Sequence, residues 1–513
     1  MYSYDFNFER DAFMTIDNRR WSLLVTVAAA LLLITLDNSV LYTALPTLVR
    51  ELGASNSQGL WIINAYPLVM AGLLMGAGTL GDRIGHRQMF LGGLVIFGVA
   101  SVIAAFAPNA GLLIAARGLL AVGAAAMMPA TLALIRVAFT DQRERNLAIA
   151  VWGSIAIIGA ALGPIAGGLL LEHFWWGAVF LINVPVVIAA FIAGLAFTPR
   201  SMPDASRPWD LVSSLQVLVA LSGLVLAIKQ AAHAPPAWPA AGTALGVAVL
   251  AGVLFARRQA RLPYPLLDFA IFRNPAFLAG VLAAAFATFA IGGVQLVTTQ
   301  RFQLVAGFSP LQAGLLVSAI ALGALPSALV GGAVLHRTGL LPLIGGGLLV
   351  ALLGVLLAIV GLDLGLGWLV AGLALTGFGL GAVMSVASSA IVGNAPAQRA
   401  GMASSVEEVS YEFGGLIAVA LLGSLLAMLY SAGIELPQGA DHAARQGLAE
   451  ALALAHSDAV SGPAIRAAAI EAFDRGYRIV MYVIAAMLLV GTCATTALLR
   501  RHGPGSESFA SAH

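Results

Sequence analysis

Hydrophobic positions along the chain form long runs, and polar positions gather between them. Fourteen runs of 17 to 27 residues, uncharged or nearly so, follow one another from Trp21–Leu45 to Val480–Leu499. A membrane helix needs about 20 apolar residues, whereas a barrel strand needs about 10 with alternating polarity. The runs are too long for such strands and do not alternate. They therefore predict an all-α polytopic membrane protein with fourteen transmembrane helices.

Composition narrows the class further. Hydrophobic residues make up 60% of the 513 and charged residues only 10%, against roughly 25% charge in soluble proteins. This excludes a soluble enzyme, a disordered chain and a disulfide scaffold. Cys493 is the only cysteine, and the sequence has no nucleotide-binding glycine-lysine pattern and no hydrolase motif. We expect no enzyme activity, no metal, no cofactor, no ATP site and no nucleic-acid partner.

Basic residues lie mostly on one side of the predicted spans. With residues 1–20 in the cytoplasm, the segments on that side carry 18 basic residues and the short segments opposite carry 3. The positive-inside rule then favours a cytoplasmic (inner) membrane protein with both termini cytoplasmic, including the tail 500–513. The polar segment 431–476 falls outside. Its charges at helical spacing favour a short helical hairpin, although a loop is an equal alternative.

A duplicated turn divides the chain into two similar parts. The turn Gly78–Arg87 is matched by Gly332–Gly339. The paired positions are Gly78 with Gly332, Arg83 with Arg337 and Gly85 with Gly339. We predict six-helix bundles over 21–200 and 263–499, with two inserted helices over 201–262. A substrate site is expected between the bundles, near the middle of the membrane.

Three sequence motifs lie on or between the predicted spans. The loop pattern G-x-L-x-D-R-x-G-x-R is complete at Gly78, Asp82, Arg83, Gly85 and Arg87. The antiporter pattern G-x-x-x-G-P-x-x-G-G is complete at Gly159, Gly163, Pro164, Gly167 and Gly168. The first run carries L-D-x-x-V-x-x-x-A-L-P from Leu36 to Pro46. The chain is similar to the fourteen-helix drug:proton antiporters of the quaternary-ammonium and methyl viologen resistance type, which implies the major facilitator fold.

Each motif also has a physical interpretation. Asp82 is expected to accept backbone N–H bonds where the third helix starts and to pair with an arginine, as a movable latch or as a plain cap. Gly159, Gly163 and Gly167 share one helix face, which permits close packing, and Pro164 bends the helix. This combination suits a sealed but movable helix crossing, or simply ordinary packing of small residues.

Five charged residues interrupt the runs, each at a cost of about 2.5 kcal/mol or more at the bilayer centre. They are Asp37, Arg117, Glu407, Glu408 and Glu412. Glu408 and Glu412 share a helix face, and Asp37 reaches a depth similar to that of Glu412. Two carboxylates in a low-dielectric cavity do not both ionise cheaply, so one is expected to hold a proton and to yield it to a cation.

The remaining candidates have open alternatives. Glu407 lies nearer the cytoplasm and is a proton-binding group or a residue of the rim. Arg117 is a proton relay that pairs with an acid, or a structural ion pair near a rim. Asn64 stands where some relatives of that type have an acid, and together with Tyr411 it lines a pocket or is ordinary packing.

The sequence therefore predicts a proton-coupled antiporter that exports lipophilic cationic drugs, dyes or antiseptics. Its partners are protons, small cations and membrane lipids, its energy comes from the proton gradient, and we expect it to act as a monomer. The main alternative is a proton-coupled symporter or exporter of a small metabolite. A membrane-embedded enzyme, a channel and a sensor are further alternatives that the motifs favour less.

Overall fold

The computed structural model of the protein describes residues 5–200, 203, 209–232, 236–263, 265–395, 399–437, 441–457 and 461–500. Across these ranges every regular element is a helix, which confirms the predicted all-α class. The α-helices are α1 (Asp5–Glu51), α2 (Asn56–Ile84), α3 (His86–Ala105), α4 (Ala110–Ala138), α5 (Gln142–His173), α6 (Ala178–Leu181), α7 (Asn183–Phe197), α8 (Leu211–Ala231), α9 (Trp238–Gln259), α10 (Pro275–Leu304), α11 (Pro310–Thr338), α12 (Leu340–Leu364), α13 (Leu366–Ile391), α14 (Ala400–Ala418), α15 (Ser424–Gly433), α16 (Leu448–Ser457) and α17 (Gly462–Leu499).

Fourteen helical stretches in the described ranges are long and apolar enough to cross a membrane, which confirms the predicted number. Two of these spans are composite. The sixth consists of α6 and α7, and the thirteenth consists of α14, a π-helical turn at Val419–Gly423 and α15. A π-helical turn widens a helix locally and is frequent near functional sites.

The last span differs most from the sequence prediction. Its apolar run begins at Val480, but α17 begins at Gly462. Pro463 fits the first helical turn, where its missing N–H costs nothing. Residues 462–476 are thus the first turns of the last membrane helix, and they pack against α16. The polar segment therefore contains two packed helical stretches, α16 and the first turns of α17, and the second of them continues into the last span.

Ion pairs explain how α17 carries charge into its span. Arg301 of α10 donates from Nε and Nη2 to Asp474 at 2.9 and 3.1 Å. Arg478 donates from its two terminal nitrogens to Asp363 of α12 at 2.9 and 2.6 Å. Because each carboxylate is matched by a guanidinium, these charges do not end the helix.

Each half of the chain has its own apolar core. One cluster of buried side chains comes mainly from α1 to α7, and a second comes from α10 to α17. The inserted pair lies beside them. α8 packs on α2, where Gly72 and Gly76 leave room for Leu218 and Ser214, and α9 packs on α8 at Gly223. Only 22% of the apolar window of α9 is buried, so most of that helix is available to lipid.

The two halves meet at one end of the bundle. We call this end the closed face, where α1 stops at Glu51, and the other end the terminal face, where the first span begins at Arg19. Hydrogen bonds join the halves in the part nearer the closed face. Ser309 donates to Glu172, Thr299 to the Tyr42 carbonyl at 2.9 Å, Gln303 to the Thr43 carbonyl at 2.8 Å and Asn56 to the Gln446 carbonyl at 2.6 Å.

Backbone geometry supports the internal repeat. Gly85 and Gly339 both follow a long helix with positive φ, 101° and 77°, a region that favours glycine. The helices that they end also begin alike. Ser55 with Gln58, and Ser309 with Gln312, each form a reciprocal capping box. In both copies the capping serine lies 23 residues before the first motif glycine.

Candidate functional site

The halves separate toward the terminal face and leave a cavity of about 950 Å³ between them. Ligand sites commonly measure about 300–1,000 Å³. The walls are α2, α4 and α14, with the start of α8 and the segment that leaves α9. The charged or titratable lining side chains are Asp82, His86, Arg136, Asp210, Arg258 and Glu408, and the lining also includes Met75, Met128 and Met402. Methionines adapt to ligands of varied shape.

The three acids of α14 point to different surroundings. Glu408 lines the cavity. Glu412 lies one turn deeper, about 6 Å farther along the helix, and does not line it. Glu407 is hydrogen-bonded to Ser388 of α13, so it faces the interior of its own half. Of the three, Glu408 is therefore the one that a molecule in the cavity meets first.

Asp37 forms a closed group with residues of three other helices. Arg117 of α4 donates from Nη1 to Oδ2 of Asp37, and Asn183 of α7 donates from Nδ2 to Oδ1 at 2.9 Å. The same Asn183 amide reaches Ser101 of α3 at 3.3 Å. The side chains of Asp37 and Arg117 are 1% and 0% exposed. Both carboxylate oxygens of Asp37 are therefore occupied inside the first half.

Arg117 also joins this group to α2. Its guanidinium lies 4.6 Å from the centre of the Tyr66 ring and donates to the Ile62 carbonyl at 3.3 Å. Its charge also acts on Glu412. The ion pair lies in the interior and not at a rim, and Glu412 is the acid of α14 that senses it.

Some predicted residues lie apart from the cavity. Asn64 is fully buried, and neither polar atom of its side chain is hydrogen-bonded within the described ranges. Tyr411 accepts a hydrogen bond at its backbone carbonyl from Thr288 at 2.8 Å. Neither residue lines the cavity.

The antiporter motif places α5 between the two halves. A Cβ atom added at Gly159 would collide with Thr35 of α1, and one at Gly163 would collide with Ser39 of the same helix. Gly167 faces Val40 at 3.0 Å. On another side of α5, the backbone of Leu311 leaves no room for a side chain at Gly168.

The approach between α5 and α11 is reciprocal. A Cβ added at Gly314 of α11 would collide with the carbonyl of Pro164. Glycines on both helices thus bring the backbones together near the closed face. Three of the five motif positions of α5 therefore contact its own half, and the other two contact the second half.

The loop motif differs in detail from its prediction. Asp82 contacts His86, with Oδ1 3.1 Å from Nε2, and α3 begins at His86, preceded by Gly85 and without a side-chain cap. Asp82 still lies inside α2, so its side chain meets the residue four positions on and not the first amides of α3. Arg87 donates to the Leu195 carbonyl at 2.9 Å, while Arg83 is exposed.

Asn183 and Ser101 are the site residues that the sequence analysis missed. Each is an uncharged polar residue within an apolar run, and a search for charged residues does not select it. A search for every amide or hydroxyl in the runs would have found both, among many threonines and serines that bond only to their own helix.

Comparison with known proteins identifies the fold. The sequence profile of the Major Facilitator Superfamily matches residues 27–419. The chain belongs to this superfamily. It is therefore a polytopic membrane transporter and not an enzyme, and transporters of this superfamily that export drugs use an ion gradient without a bound cofactor.

Related superfamily members resemble the chain over nearly its whole length. The multidrug efflux pump LfrA of Mycolicibacterium smegmatis is 38% identical over 506 residues, covering 94% of this chain and 97% of that protein. The methyl viologen resistance protein SmvA of Salmonella typhimurium is 38% identical over 480 residues, covering 92% and 97%.

Solved structures agree on the superfamily fold. A bacterial homologue of the human lysosomal transporter Spinster, in an inward-facing and occupied conformation, superposes with a TM-score of 0.62. The alignment has 17% sequence identity and covers 96% of this chain and 99% of that one. At this identity the likeness concerns the fold alone.

Proposed function

We propose that this protein exports small lipophilic cations across the cytoplasmic membrane in exchange for protons. The observation that carries the proposal is the placement of Glu408 on a cavity of about 950 Å³ that opens at the terminal face, with Glu412 one turn deeper. The names of the relatives, a multidrug efflux pump and a methyl viologen resistance protein, support the substrate class. The latter is named for resistance to a dication.

The exchange follows from electrostatics. In a low-dielectric cavity Glu408 and Glu412 do not both carry charge cheaply, so the empty protein holds a proton there. An arriving cation supplies the missing positive charge and the proton leaves. The charge of Arg117, which is hydrogen-bonded to Asp37, also acts on the deeper acid Glu412. Movement about the α5 glycine face then carries the occupied site to the closed face.

The orientation forms part of the proposal. The excess of basic residues on the terminal side supports a cytoplasmic location for both termini. The structure would then be open to the cytoplasm, as export requires for loading. We assign the two bundles to 21–200 and 263–499 and the inserted pair to 201–262. We further propose that a single chain transports, because the cavity is built from one chain.

Proton release during binding tests the exchange. Ethidium is added to detergent-solubilised protein in weak buffer while the pH is recorded. The parent protein is expected to acidify the medium, and Glu412→Gln and Glu408→Gln to acidify it less at equal ethidium occupancy. Glu471→Gln is the matched control, because that carboxylate is 75% exposed and lies on α17, away from the cavity.

The same variants are then compared in proteoliposomes with an imposed pH gradient. Ethidium uptake into the vesicle lumen should require the gradient and should stop in a protonophore. Equal proton release from parent and both glutamine variants, or accumulation that persists in the protonophore, would overturn the exchange. Accumulation of a small anion in place of ethidium would favour the metabolite symporter.

A further inference from the structure

The inserted helices supply a wall of the cavity as well as a link between bundles. Trp209 and Asp210, just before α8, and Arg258, near the end of α9, line the cavity, as does Leu266 in the segment that follows. Trp209, Asp210 and Arg258 belong to the inserted pair, and Leu266 begins the second bundle. They lie at the mouth, whereas Glu408 is about 10 Å deeper, seven residues along α14 from Gly401.

Asp210 is held in place without its arginine. Its Oδ1 accepts from the Ser213 backbone N–H at 3.1 Å, and its Oδ2 accepts from the Ser213 hydroxyl. Gln259 donates to the same hydroxyl at 2.7 Å and accepts from the Leu266 N–H at 2.7 Å. Burial alone would raise the pKa of Asp210, but hydrogen bonds from Arg258 and Ser213 lower it below the ordinary value. The carboxylate is thus fixed and ionised.

Arg258 is the partner that is freer to move, because its side chain is more exposed than that of Asp210. It donates from Nε to Oδ2 at 3.0 Å and from Nη2 to Oδ1 at 2.9 Å. Its side chain is 38% exposed, against 14% for Asp210. A guanidinium with this exposure moves into water at small cost, while the carboxylate stays.

An aromatic ring lies beside this exchangeable pair. Trp209 precedes Asp210 and rests on α2, with its indole nitrogen 3.7 Å from the Cβ position of Gly76. A carboxylate beside an indole suits a flat organic cation, since the ring face and the charge both attract it. Met402 and Leu266 add apolar surface at the same wall.

We propose that Trp209 and Asp210 form a first binding site for organic cations at the mouth of the cavity, in which Arg258 occupies the carboxylate until a substrate cation replaces it. The inference rests on the proposed function, because it assumes that the cargo is cationic. It gives the inserted pair a role in selecting substrate before Glu408 is reached.

Charge variants distinguish this site from a purely structural clamp between α8 and α9. Initial transport rates are measured in proteoliposomes for ethidium. In Asp210→Asn the freed guanidinium should repel ethidium and raise its KM about fivefold, as expected for one partly screened contact. In Arg258→Gln the freed carboxylate should lower that KM by a similar factor. The double variant should lie between them, with kcat unchanged throughout.

Arg257→Gln is the matched control. Arg257 is the exposed neighbour on the same helix, does not line the cavity, and loses the same charge. Equal losses of kcat in both single variants, or an ethidium KM that all variants share with the parent, would overturn the mouth site. Absence of ethidium transport by the parent protein would instead overturn the proposed function and the mouth site with it.

Discussion

At the scale of single residues, the occupied carboxylate of Asp37 limits its role. Arg117 and Asn183 take its two oxygens, and the surroundings exclude water. A substrate cation would have to displace a buried guanidinium to reach it. Asp37 is therefore better suited to hold Arg117 near Glu412 than to bind cargo, which differs from the symmetric roles that the sequence suggested for Asp37 and Glu412.

The buried ion pair should be costly to break. Asp37→Asn leaves the Arg117 charge buried without a counterion, and such changes cost about 3–5 kcal/mol. The comparison is Asp363→Asn, whose carboxylate is 63% exposed and paired with Arg478; exposed pairs contribute about 0–1 kcal/mol. Denaturant unfolding in detergent micelles measures both. Similar costs for the two variants would contradict the burial of the Asp37 pair.

Two buried amides provide a second matched pair. Asn183→Leu removes a hydrogen bond to a charged group, worth about 1.5–3 kcal/mol, and should lower stability by about that amount. Asn64→Leu removes polar atoms that have no partner within the described ranges. The free energy of unfolding of this variant should therefore equal or exceed that of the parent protein. The same unfolding experiment compares them. Destabilisation of Asn64→Leu equal to that of Asn183→Leu would mean that Asn64 is hydrogen-bonded in the membrane.

At the residue level, the sequence singled out charges that lie within apolar runs. Asp37 and Arg117 stand out in apolar runs, so both were found, but their pairing depends on how α1, α4 and α7 pack. Asn183 was missed because an uncharged amide within an apolar run is not unusual enough to mark a candidate site. Asp82 was misassigned because α2 continues to Ile84, so Asp82 lies inside that helix and not at the start of α3.

At the scale of elements, α5 packs tightly against two other helices. Its glycines contact α1 on one side and α11 on the other, and both contacts leave no space for side chains. Small faces permit both close contact and sliding, since no side chain interlocks. The Gly-Pro-Gly-Gly pattern predicted a close crossing correctly, but not which helices cross, because that depends on the bundle.

Filling the small face should stop the conformational cycle. Gly163→Ala brings a Cβ into Ser39 of α1. Overpacking costs about 1–3 kcal/mol, which shifts an equilibrium between two arrangements by about 5- to 150-fold. Ethidium transport should fall within that range while membrane insertion is retained. Gly153→Ala on the same helix meets nothing within 4 Å and should be normal.

A second substitution tests the cause. Ser39→Gly removes the hydroxyl and the Cβ that lies 2.9 Å from the new methyl group, and leaves the Leu36 carbonyl at 3.1 Å. The double variant Gly163→Ala, Ser39→Gly should recover part of the transport rate. A double variant as inactive as Gly163→Ala would show that the contact with α1 is not the reason for the loss.

The length of the last apolar run did not predict where the last helix begins. The run from Val480 satisfied the membrane requirement by itself, so the sequence gave no reason to extend it. Asp474 and Arg478 are paired in the longer helix with Arg301 and Asp363, far away in sequence. The number of spans was predictable from composition, but these pairs and the start of α17 were not.

At the scale of the whole molecule, a water-soluble reagent should reach the cavity from the terminal face and not from the closed face. Cys493 is exposed and is first changed to serine. A membrane-impermeant maleimide should then label Ser405→Cys, which lines the cavity, from the cytoplasmic side, and ethidium should slow the reaction. Leu60→Cys, which packs against Gly423 near the closed face, should react slowly from either side. Faster labelling of Ser405→Cys from the outer side would reverse the proposed orientation.

The neutral pair of Asp37 and Arg117 has an electrical consequence. Within this group the charges cancel, so movement of the first half through the membrane voltage carries no net charge from it. One elementary charge crossing the membrane is worth about 2.3 kcal/mol per 100 mV. A monocation that leaves against one proton produces no current, whereas against two protons it produces one charge per cycle. Whether Glu408 and Glu412 exchange one proton or two therefore decides if voltage drives the pump along with pH.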